Sequence, residues 1–177
     1  LRVLVENIYT NRYLDVITKE FNKDFSYEAL KKQYKLQRDF YKNYVADSKD
    51  RLIIIISDAL RYEVARELVE ELDRDKKINS VSIEPQIGIL PSFTGMGMAA
   101  LLPHKRLGID KAGNGLVDDK VVPTVNARDE VIKSFNPNGA AISYDALQRY
   151  NREELRNFFS GKTHIYIYHN KLDDRGE

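Results

Sequence analysis

The sequence of 177 residues has no cysteine. Disulfide bonds and metal sites built from thiolates are therefore excluded, and the composition fits a reducing compartment. No apolar run approaches the ~20 residues that a membrane-spanning helix needs, and no basic segment followed by an apolar one marks a secretory signal. We therefore expect a cytoplasmic protein that does not contact a membrane.

An excess of either charge is also absent, because 28 Lys and Arg residues stand against 27 Asp and Glu residues. No global field then attracts nucleic acid or an anionic membrane, so any contact with nucleic acid has to be local. What the chain does have is 42% hydrophobic residues, enough for one globular domain with a sizeable core. Its first residue is Leu1 rather than methionine, and we interpret the chain as a piece of a longer protein.

Residues 1 to 46 carry apolar side chains at three- and four-residue spacing, which is typical of amphipathic helices. We predict a helical N-terminal segment over this range, with Ser26 as the start of one helix. Lysines and arginines alternate with aromatic residues between 31 and 41, a pattern that is also compatible with a nucleic-acid surface. The solvated basic face of an amphipathic helix is the favoured interpretation.

Strand and helix patterns alternate from residue 47 to the end of the chain, which predicts an α/β domain over 47–177. This order indicates a doubly wound, mostly parallel sheet with helices on both faces. We predict strands at 52–57, 81–90, 139–144 and 164–170, helices at about 59–75, 95–102, 127–135 and 145–159, and a small β-excursion over 107–125. The unbroken run Ile53–Ile56 predicts a strand that is covered on both faces.

Polar side chains follow three of the predicted strands: Asp58, Thr94 and the segment 169–177. In open α/β sheets, ligands bind at the carboxyl ends of the strands, so these residues are candidates for one site. Each has a structural alternative. Asp58 and Thr94 could cap the helices that follow them, and Asp173 could be an ordinary loop residue.

Three further residues are secondary candidates. Ser92 is an alternative nucleophile two residues before Thr94. His169 and Asn170 follow the last strand and could touch a phosphate or orient Asp173, although a buried, hydrogen-bonded histidine is an equally good interpretation.

Taken together, three strings resemble the PglZ domain, a member of the alkaline phosphatase superfamily found in bacterial BREX-type phage-defence systems. They are IIIISDALRYEVARELVEEL (53–72), ILPSFTGMGMAALLPH (89–104) and IYIYHNKLDDRGE (165–177). Their order and strand contexts match, and the resemblance covers about residues 35–177. It implies an alkaline phosphatase-like fold, a phosphate ester or nucleic-acid substrate, and other BREX-type defence proteins as partners.

The resemblance also implies a two-metal phosphatase or phosphodiesterase site. Asp58 would bind one metal and Thr94 would be the nucleophile on that metal. Asp173, Gly176 and Glu177 correspond to a D-x-x-G-H motif that supplies ligands to the other metal. Glu177 stands where a histidine is usual, which makes the site harder and puts Zn in doubt relative to Mn or Mg.

Two other functions stay open at this point. The domain could be an interaction module of the defence complex with a degenerate metal site, or a small-molecule phosphomonoesterase. In the superfamily further metal ligands, an Asp-His pair and a later histidine, follow the D-x-x-G-H motif. We therefore expect this chain alone to be a poor enzyme.

Overall fold

The computed structural model describes residues 2–8, 12, 14–16, 18–19 and 26–176. The contacts between residues divide the chain into two compact units, Leu1–Lys35 and Leu36–Glu177. The domain boundary expected at 46/47 stays a prediction. Among the helices that the structure describes, none combines the length and the apolar content that a membrane crossing needs.

The first unit contains the helices α1, Arg2–Ile8, and α2, Tyr27–Gln33. Ser26 caps α2 as predicted, because its side chain accepts a hydrogen bond from the Ala29 amide at 3.4 Å. Of the helical segment expected over 1–46, residues 1, 9–11, 13, 17 and 20–25 lie outside the described part of the chain.

The second unit begins with a 3₁₀ turn, Gln37–Asp39, and a π-helical turn, Tyr41–Val45. Its other helices are α3 Tyr62–Arg74, α4 Thr94–Ala100, α5 Val125–Phe135, α6 Tyr144–Gln148, α7 Arg152–Phe159 and α8 Asp173–Gly176. Its strands are β1 Leu52–Ser57, β2 Leu107–Ile109, β3 Gly115–Val117, β4 Lys120–Val121, β5 Gly139–Ser143 and β6 His164–His169.

The main sheet has the order β1-β6-β5, and both of its strand pairs are parallel. A small antiparallel sheet, β2-β3-β4, forms the predicted β-excursion. These elements confirm the predicted mixed α/β fold with a parallel sheet flanked by helices.

Alternation along β6 divides the core between the two faces of the sheet. Tyr166 and Tyr168 face a cluster that includes Met98, Ala99 and Leu102 at α4 and Val131 and Ile132 of α5. Ile165 and Ile167 face the opposite side, where the partly buried side chains are Tyr144, Ala146 and Leu147 of α6 and Phe158 and Phe159 of α7.

The prediction that β1 is covered on both faces is wrong. Ile54 and Ile56 pack against the cluster around Tyr166, but Ile53 is 53% exposed and Ile55 is 65% exposed. The reason is that α3, which follows β1, does not cover this face and buries none of its own residues.

Two other predicted elements, a strand and a helix, also differ from the structure. Residues 81–90 form no strand. An isolated bridge between Ile87 and Leu36, the side chain of Gln37 and a hydrogen bond from Tyr44 to Glu84 at 2.6 Å hold this segment. The helix predicted over 145–159 is two helices, because Asn151 forms a capping box with Glu154 and starts α7 anew.

A close approach of two glycines fixes α4 against the small sheet. A Cβ atom built at Gly115 of β3 would lie 2.5 Å from the Gly95 carbonyl oxygen and 2.9 Å from the Ala99 Cβ. Both distances are too short for a real side chain, so only glycine at 115 permits this packing.

We therefore predict that Gly115→Ala lowers the free energy of unfolding by about 1–3 kcal/mol, because backbone atoms have to move apart. Gly108→Ala on β2 is the matched control, since its Cβ would meet only the Leu116 side chain, at 3.4 and 3.6 Å. We expect that control to change stability by about 0.5 kcal/mol or less. Urea denaturation measures both variants, and equal losses would contradict the explanation.

Candidate functional site

The pairing of β1 with β6 brings two distant parts of the chain to one edge of the sheet. Ser57 lies opposite His169, and the Asp58 amide continues the ladder by donating to the His169 carbonyl at 3.0 Å. The residues that follow the two strands, Asp58 and Asn170, therefore emerge at the same edge.

Asp58 is not a helix cap, so that sequence-based alternative is wrong. The following helix begins only at Tyr62, with Arg61 at its N-cap position. The Asp58 carboxylate accepts a hydrogen bond from the neighbouring Ala59 amide at 3.0 Å, and the structure gives it no other partner within the described residues. Since a carboxylate offers about four lone-pair sites, most of its capacity remains open to a ligand.

Thr94 is the first residue of α4, and Phe93 occupies the N-cap position without a side-chain hydrogen bond. Thr94 therefore does not cap this helix, and its side chain is exposed. The side chain of Gln37 holds this region in place: its amide donates to the Gly97 carbonyl at 3.2 Å and its oxygen accepts from the Ile89 amide at 3.0 Å.

Asp58 and Thr94 line one small cleft of about 190 Å³. The other residues around it come from α4, α5 and the ends of β5 and β6: Met98, Val125, Arg128, Ser143, Tyr168, His169 and Asn170. Ser92, the alternative nucleophile, is not among the described residues that line this cleft. The structure thus brings together two predicted metal ligands, one of them the predicted nucleophile Thr94, with His169 at the end of β6 and Asn170 directly after it.

His169 and Asn170 are held by protein groups. The His169 Nδ1 atom lies 2.8 Å from the Ser57 hydroxyl, and its ring packs edge-on against Tyr144 with 5.0 Å between centroids. The Asn170 amide donates to the Asp174 carboxylate at 2.8 Å. Asn170 therefore orients Asp174, and within the described residues it forms no hydrogen bond with the Asp173 side chain.

The structure does not show the predicted ligands of the second metal together in the cleft. Asp173 starts the single turn of α8 and is not among the described residues that line the cleft. Glu177 lies outside the described residues. Within the described part of the chain, no group of three or more His, Asp and Glu residues could hold a metal ion.

The donor chemistry still fits a hard divalent cation in part. Asp58 and Thr94 present oxygen atoms to one cleft, and oxygen is the ligand type that Mg²⁺ and Mn²⁺ prefer. Two side chains are fewer than the roughly three that catalytic metal sites usually supply. Asp58 and Thr94 therefore supply only part of the ligand set that a divalent cation needs.

Two residues that line the cleft, Arg128 and Tyr168, were not predicted from the sequence. Arg128 is only 8% exposed, and its guanidinium lies 4.7 Å from the centre of the Tyr168 ring. Burial raises the pKa of the Tyr168 hydroxyl to about 12, against the opposing effect of the Arg128 charge. The available signal was the spacing of Arg128 three and four residues before Val131 and Ile132, which puts a charge on the buried face of α5.

Comparison with known proteins gives a consistent result. The alkaline phosphatase-like protein PglZ of Bacillus cereus (strain H3081.97) is 37% identical over 185 residues, covering 100% of this chain and 21% of that protein. The alkaline phosphatase-like protein BrxZ of Escherichia coli O9:H4 (strain HS) is 31% identical, covering 98% of this chain and 21% of that protein. The chain thus spans about a fifth of the length of these curated relatives. No solved structure matches it significantly.

The family match covers residues 38–177 and is described as the BREX system PglZ alkaline phosphatase-like domain. It includes the sheet and every described residue of the cleft. The resemblance seen in the sequence is confirmed, and the chain belongs to the PglZ alkaline phosphatase-like domain family of BREX systems.

Proposed function

We propose that this chain is part of a longer phage-defence protein that hydrolyses phosphoric esters with the help of a divalent metal. The observation that supports the proposal is the cleft that Asp58 and Thr94 both line. A carboxylate and a hydroxyl at the carboxyl-terminal edge of a parallel sheet are what a metal-assisted nucleophilic substitution needs.

In this proposal Asp58 holds the metal and Thr94 is the nucleophile. When bound there, a divalent cation lowers the pKa of the threonine hydroxyl and stabilises the negative charge that develops on oxygen. The Thr94 oxygen attacks phosphorus, the bond to the leaving alcohol breaks, and the alcohol takes up a proton. Water then breaks the bond between Thr94 and phosphorus, which releases phosphate from a monoester substrate or a phosphomonoester from a diester and restores the Thr94 hydroxyl.

A second metal, held by Asp173 and Glu177, belongs to the same proposal. Since Asp58 and Thr94 are only two ligands, we propose that other parts of the longer protein complete both sites. The choice among Zn, Mn and Mg follows from those ligands, and the oxygen donors of this chain favour Mn or Mg.

The proposed partners are other BREX-type defence proteins, because the matching family is described as a domain of the BREX system. The substrate is a phosphate ester, with nucleic acid as one candidate, and the proposed location is the cytoplasm. Two alternative functions are an interaction module that no longer uses its metal site and a small-molecule phosphomonoesterase.

The central test is Thr94→Ala in the full-length protein that carries this chain. We expect hydrolysis of an aryl phosphodiester to fall at least ~100-fold, because the nucleophile is removed, while Thr94→Ser retains a hydroxyl and substantial activity. Ser92→Ala is the matched control and should leave the rate unchanged. Loss of activity in Ser92→Ala instead of Thr94→Ala would assign the nucleophile to Ser92.

Phage protection measured on the same variants separates enzyme from interaction module. If catalysis serves defence, Thr94→Ala loses protection together with hydrolysis. Protection that persists without hydrolysis would support the interaction module.

Metal binding gives a second prediction, for the 177-residue chain itself. Calorimetric titration with Mn²⁺ should detect at most one weak site, because two ligands compete poorly with water. Asp58→Asn should weaken that site about tenfold or more, since the anionic ligand is lost, whereas Asp73→Asn on the exposed surface of α3 should not change it. Two tight sites on this chain would show that the ligands are misassigned.

A further inference from the structure

Thr94 lies in a segment of the chain whose middle is exposed and whose ends are buried. Residues 90–94 are all exposed, whereas Ile89 and Met96 on either side of them are each only 5% exposed. The helix that Thr94 begins has seven residues and is too short to be stable alone. The position of Thr94 therefore depends on how the two ends of the segment 89–97 are held.

The side-chain amide of Gln37 joins these two ends. Its oxygen accepts a hydrogen bond from the Ile89 amide at 3.0 Å, and its nitrogen donates to the Gly97 carbonyl at 3.2 Å. A glutamine amide has its acceptor on one atom and its donors on the other. Because Ile89 supplies a donor and Gly97 an acceptor, the two contacts fix the orientation of the amide. One side chain thus closes the segment across its base.

The backbone of Gln37 is held as well. Its amide donates to the Ile87 carbonyl at 2.9 Å, next to the bridge between Leu36 and Ile87. The side chain therefore extends from a fixed point, so that less conformational entropy is lost when it forms its two hydrogen bonds.

A short path of hydrogen bonds leads from Gln37 to Thr94. Gly97 accepts from Gln37 through its carbonyl, and its amide donates to the Phe93 carbonyl at 2.9 Å. That carbonyl and the Thr94 nitrogen belong to the same peptide group. A displacement at Gln37 is therefore transmitted to the backbone of Thr94.

We infer that Gln37 is a positioning residue, whose side-chain amide sets the place of Thr94 in the cleft by tying Ile89 to Gly97. The inference rests on the proposed function for the reaction of Thr94. Gln37 is not among the described residues that line the cleft, so it acts through Thr94 and not on the substrate. A misplacement of about 1 Å can lower a rate by ~100-fold, so such a tie matters for catalysis. Gln37 also stands one residue before the span 38–177 of the family match.

The alternative is that Gln37 only stabilises the fold. Gln37→Glu keeps the size of the side chain and the acceptor for Ile89, but it replaces the donor to the Gly97 carbonyl with an oxygen. Gln37→Met keeps the length, adds no charge and removes both hydrogen bonds, and it repeats the test should Gln37→Glu not fold.

Two control variants separate positioning from stability. Gln148→Glu is matched in chemistry, because the Gln148 side chain also donates a hydrogen bond, to the Tyr144 hydroxyl at 2.9 Å. Asn151→Ala is matched in lost stability, because it removes the capping box of α7.

The first experiment measures hydrolysis of an aryl phosphodiester by the full-length protein. We expect Gln37→Glu to lower kcat about tenfold or more and to change KM less than about twofold, because Thr94 is displaced while substrate binding is kept. Gln148→Glu and Asn151→Ala should keep kcat within about twofold, although Asn151→Ala lowers the melting temperature. Combined with Thr94→Ala, Gln37→Glu should cause no further loss, since the residue through which it acts is gone.

Hydrogen exchange of the same full-length variants gives a readout that does not depend on activity. Gln37→Glu should speed the exchange of amides in residues 89–100 and leave β5 and β6 unchanged. If Thr94→Ala remains active, the proposed function fails and exchange alone decides: faster exchange over 89–100 supports the tie, and unchanged exchange overturns it.

If Thr94→Ala is inactive, three results overturn the inference. They are an unchanged kcat in folded Gln37→Glu, an equal loss of kcat in Asn151→Ala, and a further loss when Gln37→Glu is added to Thr94→Ala.

Discussion

The parallel ladder between β1 and β6 is the interaction on which the rest of the structure depends. It pairs Leu52 with His164 and Ser57 with His169, which are 112 residues further along the chain. Core packing fixes this register: Ile54, Ile56, Tyr166 and Tyr168 all face one cluster. A slip of one residue would turn the two tyrosines away from that core and reverse the face of every side chain on the strand. The position of Asp58 beside His169 therefore follows from hydrophobic burial, and the hydrogen bond from the Asp58 amide to the His169 carbonyl extends the same ladder.

Thr94 reaches the same cleft by a different route. It lies on a helix of seven residues that has too few turns to be stable alone. Tertiary contacts position that helix: the close approach of Gly95 to Gly115, the burial of Met96, Met98, Ala99 and Ala100, and the two hydrogen bonds of Gln37. The small antiparallel sheet thus serves as a support for α4, and through it for the residue proposed as nucleophile.

The sequence predicted the elements whose signals are local. The strands at 52–57, 139–143 and 164–169 are apolar runs that end in polar residues, and the helices between them show clear periodicity. It failed where the outcome depends on tertiary surroundings. Composition could not reveal that β1 is an edge strand, or that Gln37 instead of a sheet would hold the segment 81–90. The cleft shows the same division. Asp58 and Thr94 were candidates because they follow predicted strands, although the structure has no strand before Thr94, whereas Arg128 becomes a candidate only once its burial is known.

The charges of the cleft explain why a metal and an anion would favour each other there. Asp58 and Arg128 line one small space without forming an ion pair within the described structure. An incoming phosphoryl group is attracted by Arg128 and repelled by the Asp58 carboxylate, and a cation on Asp58 removes that repulsion. By linkage, an anion beside Arg128 must then strengthen cation binding by the same factor. On the proposed assignment this chain supplies only two cation ligands, and phosphoryl oxygens of a substrate would add negative charge beside them. If Asp58 binds a cation as proposed, its incomplete ligand set and the positive charge of Arg128 are therefore features that one substrate would satisfy together.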